Sequence, residues 1–254
     1  MYVIAIHYEP GTGEPLVQPL ARALDRSLYE TRARLSNPDG GPVVVASYGE
    51  VEPAWACAGR LRAEGIAPIL VLPEEVEAEA GRFLVREFEF GGGAIQVASR
   101  RGETVEVPYG EIDLVLRGTR VEEKIDTEVT EKRKLSLGRA IVTGGMLVTK
   151  VHRKVQQVRS EERDDFLHLY APGRPPLAFR ATALHYQGLG AALQPSVHAN
   201  FNLLASALRR SLPNARWDER LGSRQGRARV LGPGLPESHL DVAISLLARV
   251  LRQG

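Results

Sequence analysis

The spacing of apolar segments changes near residue 80, and this change constrains the fold more than any other feature of the sequence. Before it, strand-like runs alternate with segments whose apolar residues recur at helical spacing, of which the longest marks one face from Leu16 to Leu35. After it, short strand-like runs follow one another across glycine- and proline-containing turns. The early runs are residues 3–7, 42–46 and 69–72, and the later ones are residues 83–90, 94–99, 103–107 and 112–116. The sequence therefore predicts an α+β fold with an N-terminal βαβαβ unit and then an antiparallel meander.

The second half of the chain continues this pattern and ends in helices. Strands are predicted at residues 166–170 and 177–186, and a helix behind Pro195 with Ser196 as its N-cap. A last helix is predicted from about residue 237 to 252, and its wide apolar face indicates either deep docking in its own chain or pairing with another chain. The β-rich domain is thus mostly antiparallel, with a capping helix and a C-terminal helix.

Three domains follow from these boundaries. We predict a small α/β domain with an acidic linker at 1–79, and a β-rich domain at 80–212 that carries a basic insertion at 120–164. Residues 213–254 are predicted to form an Arg-rich loop and the C-terminal helix.

The sequence offers little for redox, metal or cofactor chemistry. The single cysteine, Cys57, lies in an apolar helical context, and the six histidines lack the spacing of a metal site. Gly11-Thr12-Gly13 follows a strand but lacks the third glycine of a dinucleotide loop. The chain opens on a strand-like run and has no apolar stretch long enough for a membrane span. We therefore predict a cytoplasmic protein with no metal, no cofactor, no identifiable catalytic residue and no identifiable small-molecule ligand.

Charge is distributed unevenly along the chain. Residues 1–117 hold 11 basic and 18 acidic side chains, a net charge of −7, whereas residues 118–254 hold 22 basic and 13 acidic side chains, a net charge of +9. Such an asymmetry can steer an acidic partner to the second half or join neighbouring copies of the chain, although docking of the two halves on each other would also use it.

The basic charge is densest between residues 132 and 160. Eight basic side chains and no acidic one occur in these 29 residues, on both sides of the uncharged stretch 140–148. They are Lys132, Arg133, Lys134, Arg139, Lys150, Arg153, Lys154 and Arg159. A hairpin with basic arms and an apolar tip would fit an acidic protein surface, a membrane surface or a nucleic-acid backbone, while a solvated insertion or an oligomerisation arm would need no foreign partner. A second basic stretch at 209–229 could extend the same face.

A pocket between domains is the competing hypothesis. If the strands at 166–170 and 177–186 pair, His168 and His185 could share a face with Tyr170 or Tyr186 nearby, which would permit acid–base chemistry at neutral pH. A structural role for these histidines in the sheet is the simpler reading, because the sequence shows no carboxylate partner for either.

Two resemblances bear on the fold. Ala94-Ile95-Gln96-Val97, Arg101-Gly102-Glu103 and Val105-Glu106-Val107-Pro108-Tyr109, with Ile112 leading the next strand, resemble bacterial pleckstrin-homology-like domains over residues 83–211. That resemblance implies a β-sheet closed by the helix that ends at Ser211, with 120–164 as a large insertion. Residues 1–73 are similar in element order to small ferredoxin-like or ribosomal-stalk C-terminal folds. Neither resemblance implies an enzyme.

The sequence thus leaves three function classes open. A non-catalytic interaction or scaffold protein, which binds an acidic partner or itself through the basic insertion, is the reading that the charge pattern favours. A small-molecule binder or enzyme with a site between the domains, and a nucleic-acid-binding protein, are the alternatives. Base-stacking aromatic residues are absent between Tyr109 and Phe166, which disfavours the last.

Overall fold

The computed structural model describes the backbone of residues 1–135 and 149–253, and the side chains of residues 1–121 and 161–253. Within these residues the fold is α+β, as the sequence predicts, with one sheet of three strands and one of seven. The residues group into two compact units, which we call the body (Met1–Arg120 with Asp164–Gly254) and the ribbon (Val121–Arg163). The division into three domains at residues 79 and 212 stays a prediction.

The small sheet and its helices form the predicted βαβαβ unit. Its strands are β1 (Tyr2–Ile6), β2 (Val43–Tyr48) and β3 (Pro68–Val71), and its helices are α1 (Val17–Leu24), α2 (Leu28–Leu35) and α3 (Val51–Ala63). Strand β1 lies in the middle and pairs antiparallel with both neighbours. It buries one side against the helices and the other against the rest of the body, which explains why its residues are almost uniformly apolar.

The helical face predicted from Leu16 to Leu35 is divided between two helices. Helix α1 ends because Asp25 adopts the left-handed conformation, with φ of 52°. Helix α2 then begins at a capping box: the backbone N–H of Glu30 donates to the Ser27 hydroxyl, and the Ser27 N–H donates to the Glu30 carboxylate.

The strands of the large sheet are β4 (Phe83–Phe90), β5 (Ala94–Ser99), β6 (Thr104–Pro108), β7 (Leu114–Leu135), β8 (Thr149–Tyr170), β9 (Leu177–Arg180) and β10 (Arg216–Leu221). Their order in the sheet is β10-β7-β8-β9-β4-β5-β6. The predicted meander is confirmed for β4, β5 and β6, which pair antiparallel in chain order. It is wrong for β7, which lies between β10 and β8. Leu114 and Val115 face different apolar cores, so β7 needs cover on both sides and takes an interior position.

Two predicted boundaries differ from the structure. Strand β9 ends at Arg180 rather than at Tyr186, because the chain turns there and the Ala183 N–H donates to the Arg180 carbonyl. The segment after Pro213, predicted as a loop, contains strand β10 and helix α5 (Arg224–Leu231). Strand β10 is hard to recognise from sequence, because Leu221 is its only fully buried residue.

The large sheet separates two cores in the body. On one face, Leu167 and Leu169 pack with helix α4 (Val197–Ser211), which has Ser196 as its N-cap, as predicted. On the other face, Phe166 and Tyr170 pack with helix α6 (Leu240–Gln253) and with one side of β1. Helix α6 buries most of its residues in this core, so deep docking in its own chain, one of the two predicted alternatives, is what the structure shows.

Candidate functional site

A buried polar cluster surrounds His168 on β8. The residue is 3% exposed, and its ring centroid lies 4.7 Å from that of Phe166. Among the described residues, its Nδ1 has no hydrogen-bond partner. Burial, together with the positive charges of Arg82, Arg120 and Arg180, holds the pKa of His168 well below its usual range. His168 is therefore neutral at physiological pH.

Arg82 is the centre of an ion-pair network beside this histidine. Its side chain is 2% exposed; Nη1 donates to Asp241 Oδ1 at 2.9 Å, and Nη2 donates to the backbone carbonyl of Glu77 at 2.8 Å. Arg120 Nη2 donates to the same Asp241 oxygen at 3.3 Å. Arg82 Nε has no hydrogen-bond partner among the described residues, and Glu77 Oε2 lies 3.7 Å from it. The ion pairs and the two hydrogen bonds offset the cost of burying this guanidinium, and they tie the segment before β4 to helix α6.

The space within the cluster is very small. Arg180 lies along it, with Nη1 3.0 Å from the carboxylate of Glu79. The cavity that remains beside His168 and Arg82 measures about 10 Å³, which is near the lower limit for a single water molecule. Small-molecule sites typically measure about 300–1,000 Å³. The arrangement therefore stabilises the body and leaves no room there for a substrate.

The two tyrosines of the predicted pocket lie in different cores. The Tyr170 hydroxyl donates to Glu77 Oε2 at 3.0 Å, and the Tyr186 hydroxyl donates to the Ala181 carbonyl at 2.8 Å in the core beneath α4. Burial raises the pKa of both hydroxyls, and the charge of Glu77 adds to the effect at Tyr170. Both hydroxyls remain protonated and donate to neighbouring acceptors.

His185, the fourth residue of the predicted pocket, follows β9 and is partly exposed. Its Nδ1 lies 3.1 Å from Glu87 Oε1. This carboxylate partner was not foreseen, because it comes from β4, far away in sequence. The structure therefore brings His168 and Tyr170 together on one face of the sheet and places His185 and Tyr186 elsewhere.

A larger groove lies in the body between β3, the acidic segment after it, and α6. Its volume is about 460 Å³, which falls in the range of small-molecule sites. Its basic residues already have partners: Arg249 Nη1 lies 3.3 Å from Glu75 Oε2, and Arg252 Nε lies 3.1 Å from Asp113 Oδ2. The groove is lined by Val71, Glu75, Glu77, Ser245, Ala248, Arg249, Arg252 and Gln253.

The basic residues of the sequence prediction lie on the two longest strands. Lys132, Arg133 and Lys134 are on β7, and Lys150, Arg153, Lys154 and Arg159 are on β8. Arg139 and the apolar stretch 140–148 fall outside the described residues. The ribbon, which these strand segments build, covers nearly the same residues as the predicted insertion at 120–164.

Most arginines of the second basic stretch, at 209–229, have carboxylate partners within the body. Arg227 is buried and pairs with Glu237 at 3.0 Å, and Arg224 pairs with the same carboxylate at 2.6 Å. Arg220 pairs with Asp218 at 2.8 Å and donates to the Gly41 carbonyl. These three arginines are engaged in ion pairs and hydrogen bonds within the body. They therefore do not support the hypothesis that residues 209–229 extend a basic binding face.

An acidic surface occurs on the half of the large sheet formed by β4, β5 and β6. One side of these strands packs beneath α4, whereas the other side is exposed or partly exposed. Across the three strands, the register aligns Glu89 with Gln96 and Glu106, and it aligns Glu87 with Ala98 and Thr104. We call this surface, made of Glu87, Glu89, Gln96, Ala98, Thr104 and Glu106, the open face.

Comparisons with known proteins add no family to this description. No protein-family model, no curated protein and no solved structure matches the chain. In the part of the chain that the structure describes, no group of three or more His, Cys, Asp or Glu side chains is placed to hold a metal ion. Among the same residues, no helix combines the length and the apolar character that crossing a bilayer requires. The function of the chain is therefore inferred from the geometry and the charge of the ribbon and of the body.

Proposed function

We propose that this chain is a non-catalytic interaction or scaffold protein of the cytoplasm that binds an acidic partner, or a second copy of itself, through the ribbon. One observation supports the proposal above the others: the densest basic segment of the sequence belongs to a compact unit of its own. The resemblance of residues 83–211 to pleckstrin-homology-like domains, which commonly serve as interaction modules, is compatible with this function and is part of the proposal.

Electrostatics explains how such a unit would recognise its partner. Residues 132–160 contain no carboxylate, whereas the rest of the ribbon holds seven acidic and two basic side chains, so the ribbon has a net charge of +3 with its positive charge concentrated in 132–160. Clustered charge of one sign attracts an oppositely charged surface over a distance set by the ionic strength, with a Debye length of about 30 Å at 0.01 M salt and about 3 Å at 1 M. Binding through the ribbon should therefore be strong at low salt and nearly absent at high salt.

The test is replacement of Arg133, Lys134, Arg153 and Lys154 by serine. Light scattering after size exclusion, at about 0.01 M and about 1 M salt, measures self-association, and fluorescently labelled polyglutamate serves as the probe for an acidic protein surface. We expect salt-sensitive association or polyglutamate binding in the wild type and its loss in the variant.

A matched control keeps the charge change equal. Arg100, Arg101, Arg210 and Arg216 are exposed, and no ion pair involves them among the described residues. Replacing these four by serine removes the same charge from the body and should leave association and polyglutamate binding unchanged. The proposal fails if the ribbon variant and this control behave alike.

Other charged partners are distinguished in the same experiment. Single-stranded and double-stranded oligonucleotides test the nucleic-acid alternative, and vesicles that contain phosphatidylserine test a membrane surface. Affinity for an oligonucleotide above that for polyglutamate, with a steep salt dependence, would replace an acidic protein by nucleic acid as the partner. Preference for the vesicles would likewise identify a membrane surface.

A second candidate function, binding or conversion of a small molecule, is supported by the groove of about 460 Å³ beside α6. Native mass spectrometry of the gently purified chain would detect a bound small molecule. A bulky substitution at the exposed rim, Gln253→Trp, should reduce the bound fraction if the ligand lies in this groove. An unchanged bound fraction in the variant, or no bound mass in the wild type, would remove the support for this alternative.

A further inference from the structure

We propose that the open face of the large sheet is the surface that receives the ribbon of a second copy of this chain. The proposal rests on the function proposed above and adds a receptor surface and a partner to it. It depends on three properties of the open face: absence of cover, uncompensated negative charge, and size.

Among the described residues, nothing packs on the open face, whereas the interior strands of the large sheet are covered on both sides within the body. The other side of β4, β5 and β6 packs Phe88, Val97 and Val107 beneath α4, and β7 and β8 are covered on both sides within the body. On the open face, Glu89, Gln96 and Glu106 are all exposed. Antiparallel sheets often leave one side exposed to solvent. Exposure alone therefore does not identify a binding surface, and the partner of the open face is inferred from its charge.

The negative charge of this face is not compensated by lysine or arginine. Among the described residues, the carboxylate of Glu87 pairs with His185, the carboxylate of Glu106 accepts a hydrogen bond from Gln96 at 3.1 Å, and Glu89 has no side-chain partner. Elsewhere on the body, the exposed carboxylate of Glu14 and the partly exposed carboxylate of Glu64 have arginine partners at 2.7 and 2.6 Å. The open face therefore groups three carboxylates that have no lysine or arginine partner among the described residues, while residues 132–160 contain no carboxylate.

The dimensions of the two surfaces are compatible. Strands that run from residue 121 to 135 and from 149 to 163 extend roughly 50 Å at about 3.3 Å per residue, and three adjacent strands span only about 10 Å between their axes. Arg133 and Lys134 on β7, and Arg153 and Lys154 on β8, belong to these strand segments. The strand segments of the ribbon are thus longer than the open face is wide.

A second copy is the occupant that these charges favour. Every copy carries both the basic ribbon and the acidic face, so one contact type joins two copies, and a reciprocal contact closes a two-fold dimer. The open face itself, with Glu87, Glu89 and Glu106, has the sign of charge that attracts a basic surface and repels nucleic acid and anionic membranes. Self-association through this pair of surfaces should be favoured at low salt.

The test exchanges the signs of the two surfaces. A face variant carries Glu87→Lys, Glu89→Lys and Glu106→Lys, and a ribbon variant carries Arg133→Glu, Arg153→Glu and Lys154→Glu. Sedimentation equilibrium at low salt should show self-association of the wild type, and at least about tenfold weaker association of either variant alone. An equimolar mixture of the two variants should associate again, because the basic surfaces of one meet the acidic surfaces of the other.

Controls separate this inference from general charge effects and from the proposed function. Glu50→Lys, Glu52→Lys and Glu74→Lys make the same charge change at exposed residues away from the open face, and this variant should associate like the wild type. Circular dichroism spectra should agree for all chains.

Three results would overturn the inference: self-association of the face variant at wild-type strength, a mixture that does not associate, or a wild type that is monomeric at low salt. In each of these cases, polyglutamate binding that depends on the ribbon would keep the proposed function and reject only the second copy as partner. Loss of that binding as well would reject both.

Discussion

Two segments of this chain are rich in basic residues, and their surroundings differ. In residues 209–229 most arginines have carboxylate partners within the body, such as Glu237 for Arg224 and Arg227. Residues 132–160 contain no acidic residue, and they belong to the ribbon, whose remaining residues hold seven acidic and two basic side chains. The difference shows that the density of basic residues does not identify a binding surface. What matters is whether the fold supplies the compensating charge nearby.

The largest expected effect concerns Arg227, the buried arginine of residues 209–229. Arg227 donates to Glu237 and to the carbonyls of Thr119 and Leu221, so Arg227→Met should lower the free energy of unfolding by about 3–5 kcal/mol. Arg224→Met is the matched control, because Arg224 shares Glu237 but is 85% exposed, and it should change stability by less than about 0.5 kcal/mol. Urea denaturation followed by circular dichroism measures both. Equal effects would mean that burial does not distinguish these two arginines.

A change in packing tests whether apolar contacts help to position strand β10, which lies within residues 209–229. A Cβ added at Gly118 of β7 would lie 2.8 Å from Leu221 Cβ and would overlap the Phe166 ring. Gly118→Ala should therefore cost about 1–3 kcal/mol, because β10 or the ring has to move. Gly92, whose added Cβ meets nothing within 4 Å, provides the control substitution Gly92→Ala. A stability loss at Gly118 no greater than at Gly92 would show that β10 does not depend on this close approach.

The pH dependence of stability tests the cationic surroundings of His168. Because its pKa in the folded state is depressed, the unfolded chain binds a proton below about pH 6.5 that the folded chain does not bind. Stability from this source is constant above that pH and falls as the pH drops toward the folded-state pKa. His168→Gln should remove up to about 1.4 kcal/mol of this loss per pH unit. Parallel stability curves for the two chains between pH 7 and pH 5 would contradict the depressed pKa.

The smallest expected effect concerns the ribbon itself. If its basic residues serve binding and not folding, replacing Arg133, Lys134, Arg153 and Lys154 by serine should change the free energy of unfolding by less than about 0.5 kcal/mol, while association is lost. Thermal denaturation at high salt, where association is suppressed, measures this change. A loss as large as that of Arg227→Met would show that these residues stabilise the fold, and the contrast between the two basic segments would disappear.

The candidate site was only partly predictable. The basic residues were found because their charge density is a local property of the sequence. The pairing of His185 with Glu87 and the separation of Tyr170 from Tyr186 were not, because they depend on which strands become neighbours and on which face each residue lies. The open face was missed for the same reason: Glu87, Glu89 and Glu106 are unremarkable alternating residues until the register aligns their strands.

Local patterning by itself determined the α+β class, the N-terminal βαβαβ order, the β4–β6 meander and the start of α4. These features depend on periodicity, turn residues and capping, which act over a few residues. Only the tertiary structure decided that β7 leaves the meander for an interior position, that β10 forms from a charged segment, and that Arg227 is neutralised while residues 132–160 belong to a separate unit. Strand order and ion pairing join residues that are far apart in the chain, and each choice depends on the packing of the whole body.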